Sequence, residues 1–416
     1  MRALPICFLS VLLPALAGAQ ERVTPLTELT DELARANPEV RAAKLRYDAA
    51  TKRPSQAGTL PEPKINFTDF GVGHPFSRLG VSDFAYLGFG VSQEIPFPGK
   101  LALASEELRK EADGEGQVYR ALLLEKTAEL KAAYYEWFAI AKSIQTTGKN
   151  RDLVERFEKI SRARYEVGKG IQQDILKAQV ERSALEQQLQ VLEQRRQSIE
   201  ARIAMLVNRE PGRPMGRPEE VVRSELALDL TDLSDLVTHN APRLRARQFE
   251  VDGRAVAIER AKKEYRPDFN VSFQWQKTAA LYPDYYMAVA EVKLPVFFWR
   301  KQRFGAEEAA ARFSESRENY RATLQELLFE AKDAYFKIRT SERLLDLYRS
   351  GIIPQSSLAL ESAIAGYETG SVDFLTLLNS QATVLAYETR YYEELAKHEQ
   401  ALALLEPLVA RELTKQ

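Results

Sequence analysis

Tyr165-Glu166-Val167-Gly168-Lys169-Gly170-Ile171-Gln172-Gln173-Asp174-Ile175-Leu176 breaks two long helical patterns, and the chain carries such a break twice. Its twin is Tyr367-Glu368-Thr369-Gly370-Ser371-Val372-Asp373-Phe374-Leu375-Thr376-Leu377-Leu378. In each copy a Tyr-Glu-X-Gly is followed, eleven residues past the glycine, by a glutamine (Gln179, Gln381) that opens another helical run. A glycine-bearing break with helix on both sides predicts the bend of a helical hairpin.

The flanking sequence fits hairpin arms. From Leu101 to about Tyr165 the pattern is helical, with Leu123, Thr127, Leu130, Tyr134, Trp137, Ala141 and Ile144 at alternating four- and three-residue steps, a coiled-coil seam. A helix of that length is a rod of roughly 95 Å. Past the bend the seam resumes at Leu185, Leu189, Leu192, Ile199, Ile203 and Leu206, interrupted by Arg196. Residues 26–55 also read as helical, with a break at Asn37-Pro38 and a stop at Leu60-Pro61-Glu62-Pro63. The period then changes to two. Ile65 and Phe67 alternate with Asn66 and Thr68, and from about Phe84 to Glu94 the residues Ala85, Leu87, Phe89 and Val91 lie opposite Tyr86, Gly88, Gly90 and Ser92. Gly71 to Asp83 reads as the loop between these strands.

The whole programme recurs. Pro38, Pro63 and Phe67 match Pro242, Pro267 and Val271, Pro96 matches Pro295, and Gly168 matches Gly370, at offsets that stay between 199 and 204. Strands at Phe269–Gln276 and Tyr285–Leu294 precede a second long helix, whose Leu324, Leu328, Ala331, Tyr335 and Ile338 repeat the first seam. A last helix is expected to pack through Leu375, Leu378, Ala382 and Leu385. So steady an offset marks a duplication. The expected organisation is a signal peptide over 1–19, a first repeat over 20–215 and a second over 216–416. Its strands fall near 64–71, 84–95, 268–276 and 285–295, and its hairpin helices near 101–165, 172–208, 303–366 and 373–410.

Composition narrows the class. The 416 residues carry a formal net charge of −1, so nucleic-acid binding has no electrostatic footprint. Arg2, the apolar run Ile6–Leu16 and Ala17-Gly18-Ala19 form an export signal. Cys7 lies inside it, so the mature chain is cysteine-free. His74, His239 and His398 lack metal-site spacing, so no metal or cofactor is expected. With no nucleophile–base pair and no glycine-rich phosphate loop, nothing argues for an enzyme.

Strands of this length, apolar on one face and polar on the other, fit a tilted crossing of a bilayer between lipid and an aqueous lumen. Phe84, Tyr86, Trp275, Tyr282, Tyr285, Tyr286 and Trp299 are candidates for interfacial girdles. Four strands cannot close a barrel and an open edge is not tolerated in lipid, so other copies must complete it. Three copies give twelve strands. The long helices then project as a tube away from the membrane, with the Tyr-Glu-X-Gly bends at the far end.

This layout resembles the TolC-like outer membrane factors over essentially the whole mature chain. Gln93-Glu94-Ile95-Pro96-Phe97-Pro98-Gly99-Lys100 is similar to a stretch common in the CusC/CzcC-like branch, often paired with metal-exporting pumps. The resemblance implies a mainly α homotrimer: a twelve-stranded outer-membrane β-barrel, a long periplasmic helical barrel, and an equatorial belt drawn from the N-terminal segment, Arg209 to Leu230 and the C-terminal tail. It implies an exit duct in a Gram-negative outer membrane, joined to a periplasmic adaptor and an inner-membrane pump of the RND type, exporting metal cations or drugs, or polypeptides by type I secretion. It assigns the adaptor-docking tips to Val167, Gly168, Lys169, Thr369, Gly370 and Ser371. It assigns the aperture to Asp174, Gln173 and Tyr367. Where some members have an arginine two residues after the second tip glycine, this chain has Val372, so closure is expected to rely on packing and on a ring of Asp174 carboxylates.

Plainer readings compete. Asp174 also suits a helix N-terminus on electrostatic grounds alone, Tyr165 and Tyr367 would pack the turns, and the glycines would serve backbone geometry. A secreted coiled-coil scaffold or adaptor without a pore explains the helices but not four alternating strands placed twice at equivalent points.

Overall fold

The structure, a computed structural model, describes residues 22–71, 85–210, 212, 214–278 and 283–414. The expected signal peptide, most of the loop after the first strand, and the girdle candidates Phe84 and Tyr282 lie outside them. The first repeat runs β1 (Val23–Thr24), α1 (Leu26–Ala36), α2 (Pro38–Ala50), α3 (Arg53–Gly58), β2 (Lys64–Phe70), β3 (Tyr86–Ile95), α4 (Lys100–Glu166) and α5 (Gln172–Leu206). The second runs β4 (Arg217–Pro218), α6 (Leu230–Asn240), α7 (Pro242–Lys263), β5 (Asp268–Lys277), β6 (Tyr285–Lys293), α8 (Lys301–Leu347), α9 (Ile353–Thr369) and α10 (Phe374–Val409). Asn37 caps α2 by accepting the N–H groups of Glu39 and Val40, with Pro38 in the first turn. In the second repeat Ala241 holds that place without a side-chain cap.

The two strand pairs join into one antiparallel sheet in the order β2-β3-β5-β6. Its register puts Phe67 opposite Phe89, Phe89 opposite Trp275, and Trp275 opposite Tyr286, while Val91 faces Ile65 and Phe273. Most of the apolar residues of both repeats, among them Ile65, Phe67, Val91, Phe273 and Trp275, therefore share one face, and Asn66, Ser92, Ser272, Gln274 and Glu291 share the other, together with Phe70, Met287 and Val289. Pleat parity also corrects the girdle: Tyr86 and Tyr285 fall on the polar face, whereas Trp275 and Tyr286 stay on the apolar one. Phe67 is 50% exposed and Trp275 40%, as a lipid-facing surface requires.

The expected Pro-Gly-Lys stretch forms the corner into α4. Lys100, buried, reaches Asp268 at the start of β5 at 2.9 Å, and Asp268 accepts the Phe97 N–H at 2.9 Å. One repeat thus grips the other beside the sheet. Near the middle of α4 the N-terminal segment, the 207–221 segment and the C-terminal tail converge. There β1 pairs in parallel with β4, and the Tyr134 hydroxyl donates to Thr24 O. Lys131, only 2% exposed, reaches Glu406 at 2.8 Å and also meets Glu412 and Thr414.

Two helical expectations need correction. The second arm, expected as one helix over 303–366, is split by a π-helical turn at Tyr348–Ile352. Pro354 follows in the first turn of α9; it has no N–H to give the ladder, and the wider turn absorbs the mismatch. In α10 the expected seam holds in part: Leu378 and Leu385 pack in the tip core, whereas Leu375 and Ala382 are exposed and Phe374, Leu377, Gln381 and Val384 are buried. Apolarity alone misleads there because a glutamine occupies a core position, its Nε2 donating to Asn150 Oδ1 at 2.9 Å.

Candidate functional site at the hairpin tips

Both hairpins end in the same backbone device. Gly168 and Gly370 take φ of +73° and +86°, where a side chain would be strained. Lys169 N–H returns to Arg164 O at 2.9 Å and Ser371 N–H to Gly366 O at 2.9 Å, the six-to-one bond of a Schellman motif. The side chains then diverge. Tyr165, expected to pack its turn, is 47% exposed, whereas its counterpart Tyr367 is 3% exposed. Tyr367 sits in a core shared by both hairpins with Phe157, Ala178 and Phe374.

From that position Tyr367 crosses to the first repeat. Its hydroxyl donates to Asp174 Oδ2 at 3.1 Å and bonds the buried Ser161 Oγ at 2.9 Å. Burial, reinforced by the Asp174 carboxylate, pushes the phenol above its ordinary pKa, so it stays a donor. Asp174 lies in the first turn of α5, yet that helix has no side-chain cap. In the twin hairpin Asp373 does cap, accepting the Thr376 N–H at 2.8 Å. The Asp174 carboxylate is spent on Tyr367 instead.

Sequence reasoning missed two groups here. Arg164 lays its guanidinium over the Tyr367 ring, 4.7 Å from the centroid, while Nη2 donates to Lys169 O at 3.3 Å. It touches both tips from a helix where no motif pointed to it. Glu158, buried one turn above Ser161, accepts from Gln179 at 2.9 Å and from Arg182 and Arg162 at 3.2 Å. The Gln179 hydrogen bond leads in holding its carboxyl below the usual range. The repeated glutamine was a signal for this: Gln179 and Gln381 both reach back to α4.

Of the remaining expected residues, Gln173 is exposed and takes no part in the Tyr367 cluster. Val167, Lys169, Thr369 and Ser371 are exposed at the extreme end, and the Thr369 and Ser371 hydroxyls donate to Gly366 O at 3.1 Å. Val372 packs on Gly366, where only a hydrogen fits. Among the described residues no group of His, Cys, Asp and Glu is placed to hold a metal, and no helix is long and apolar enough to cross a membrane.

A sheet with one apolar face and two open edges, mounted on long helical hairpins that meet at a polar-bonded tip, defines a subunit of an outer-membrane channel. The chain belongs to the outer membrane efflux protein family, whose model matches residues 29–209 and 233–410. It resides in the outer membrane of a Gram-negative bacterium, with the hairpins extending into the periplasm. It is 22% identical to the cobalt-zinc-cadmium resistance protein CzcC of Cupriavidus metallidurans over 172 residues, 41% of each chain, so the match spans less than half of that relative. The outer membrane protein VceC of Vibrio cholerae superposes with a TM-score of 0.80 at 17% identity, over 93% of this chain and 96% of that one. CusC superposes at 0.79 with 13% identity, over 92% and 91%. At such identities these structures establish the fold.

Proposed function

We propose that three copies of this chain form a passive exit duct of a tripartite efflux system, opened at its periplasmic end through the tip cluster. The observation that carries this reading is the Tyr367–Asp174 bond, which ties the two hairpins of a chain together where the tube must narrow. Three such chains bring three Asp174 carboxylates around one axis, and an acidic ring attracts cations. Val167, Lys169, Thr369 and Ser371 form the exposed end on which a periplasmic adaptor docks, linking the duct to an inner-membrane pump of the RND type. No chemistry is required of the chain. The likeness to CzcC supports divalent heavy-metal cations as the cargo.

Three measurements test this. Unboiled outer-membrane protein should run as a trimer in detergent; a soluble monomer overturns the duct. In planar bilayers Asp174→Ala should raise conductance or weaken block by divalent cations, and unchanged conductance and block would remove Asp174 from the aperture. Deleting the gene should sensitise cells to zinc, cobalt or cadmium; sensitisation to organic drugs alone would overturn the cargo assignment.

A further inference from the structure

The second long arm carries one residue more than the first. Trp137 and Tyr165 stand 28 residues apart in α4, four heptads, whereas their counterparts Ile338 and Tyr367 stand 29 apart. Burial places the extra residue. Ile338 to Leu345 and Leu360 to Tyr367 are each one heptad, and all four side chains are buried. Leu345 to Leu360, however, takes 15 residues where two heptads take 14. Within that interval lies the π turn Tyr348–Ile352, closed by the Ile353 N–H on Tyr348 O, five residues back. A π turn takes up one residue more than an α turn, so the buried face that enters it leaves in phase. The twin stretch of the first arm is unbroken helix from Lys100 to Glu166.

The helix is weak at this level for other reasons too. Pro354 has no N–H for the ladder, and Gly351 adds backbone freedom. The Ser350 hydroxyl donates to Asp346 O at 2.6 Å and the Ser356 hydroxyl to Ile353 O at 3.0 Å, bonds of a kind that bend helices. The packing thins as well. No residue from 346 to 359 is buried, nor any of α10 from 386 to 394. On α4 the buried residues between Ala139 and Val154 are Ser143, Thr146, Thr147 and Asn150, all polar. On the membrane side of this stretch Phe138, Leu345 and Leu395 pack together, and on the other side Val154, Leu360 and Leu385 belong to the tip core. A thinly packed polar layer thus separates two apolar cores, and the π turn crosses it.

We propose that the inserted residue makes a hinge: the second arm bends at Tyr348–Ile352 when the Tyr367–Asp174 bond lets go. This rests on the reading of that bond as the lock of the tip, and adds where the backbone gives. The stretch from Ser350 to Gly370 is roughly 30 Å long, so a bend of about 10° carries the tip about 5 Å. That parts the Tyr367 hydroxyl from Asp174 while the root of the arm stays packed through Leu345 on Phe138 and Leu395. Little is broken at the bend itself, because the layer it crosses holds no buried apolar contact of the arm. The insertion leaves the closed state as it was, since Leu345 and Tyr367 keep their common face, and changes only how the arm can move.

Deleting Gly351 together with Pro354→Ala returns the interval to two heptads and the turn to α geometry, with Leu345 and Tyr367 still on one face. This straightened arm should assemble as wild type does and melt no lower; failure to assemble, or earlier melting, overturns the insertion. In planar bilayers its resting conductance should equal that of wild type. Combined with Tyr367→Phe, it should remove most of the conductance that Tyr367→Phe gains alone, and an equal gain in the straightened arm overturns the hinge. Gly351→Ala, which keeps the inserted residue, should leave the gain in place; loss there would assign the effect to the glycine and overturn the role of the insertion. In hydrogen exchange the amides of 346–359 should exchange at least about ten-fold faster than those of 338–345 and 360–367, a difference that the deletion removes. Uniform exchange along the wild-type arm overturns the hinge. If Tyr367→Phe alone gains no conductance, the lock fails instead, and the exchange pattern decides the hinge by itself.

Discussion

Replacing Tyr367 by phenylalanine removes one oxygen from the tip and keeps the ring. The ring still packs on Phe374, 5.3 Å between centroids, and still carries Arg164. Two hydrogen bonds are lost. The one to Asp174, a partly exposed acceptor that water can reach, is worth about 1 kcal/mol net. The one to Ser161 leaves a buried hydroxyl that can fall back only on a carbonyl of its own helix, for roughly another 1 kcal/mol. A loss of about 2 kcal/mol between the hairpins shifts a closed–open equilibrium roughly 30-fold per chain toward open. In planar bilayers the variant should show a larger resting conductance, and hydrogen exchange should quicken in residues 161–176. Tyr165→Phe is the internal control: the same motif position, exposed, with no role in the cluster, and neither readout should move. If Tyr367→Phe matches wild type in both assays, or if Tyr165→Phe changes conductance as much, the bond does not hold the tip closed.

Two further outcomes follow from buried charge. Lys131→Met leaves Glu406 in the waist without its cation, which should lower stability by about 3 kcal/mol and show as an earlier thermal transition; Lys131→Met with Glu406→Leu should recover most of it. Glu158 has its carboxyl held below the usual range, so its bonds stabilise the fold fully above the ordinary glutamate value and are lost as pH falls through the depressed one. The melting difference between wild type and Glu158→Gln should therefore be largest near neutral pH and close on acidification, and a difference that grows in acid would contradict the assignment.

Much of the fold was legible because it rests on periodicity and on repetition. Helix period, strand period and the recurring glycine each have a local physical cause that one sequence displays. What was not legible is where a polar residue takes an apolar place. Gln381 takes the core place in α10 that Ala382 was expected to hold; Lys131 lies buried inside a stretch that reads as a solvated helix face; and the π turn before Pro354 depends on how the ladder absorbs a missing donor. The tip residues could be picked out by resemblance, but their partners could not. Nothing in the sequence around Arg164 or Ser161 distinguishes either from other helix-surface residues, because their significance comes from the second hairpin arriving beside them.

That dependence explains why the two copies of the motif diverged. A duplicated hairpin packed side by side with its twin has one inward and one outward tyrosine, since both cannot occupy the same shared core. Tyr367 took the inward place, and only then could its hydroxyl reach an acceptor on the other repeat; Asp174, freed from capping because α5 starts without a side-chain cap, supplies it. The outward copy is left with Tyr165, Val167 and Lys169 on the surface. On the proposed reading, the inward tyrosine serves closure alone, while the exposed ends of both bends serve docking. A substitution in one copy should therefore impair one function without the other: Tyr367→Phe loosens the tip, while a charge reversal at Lys169 alters adaptor binding with the resting conductance unchanged.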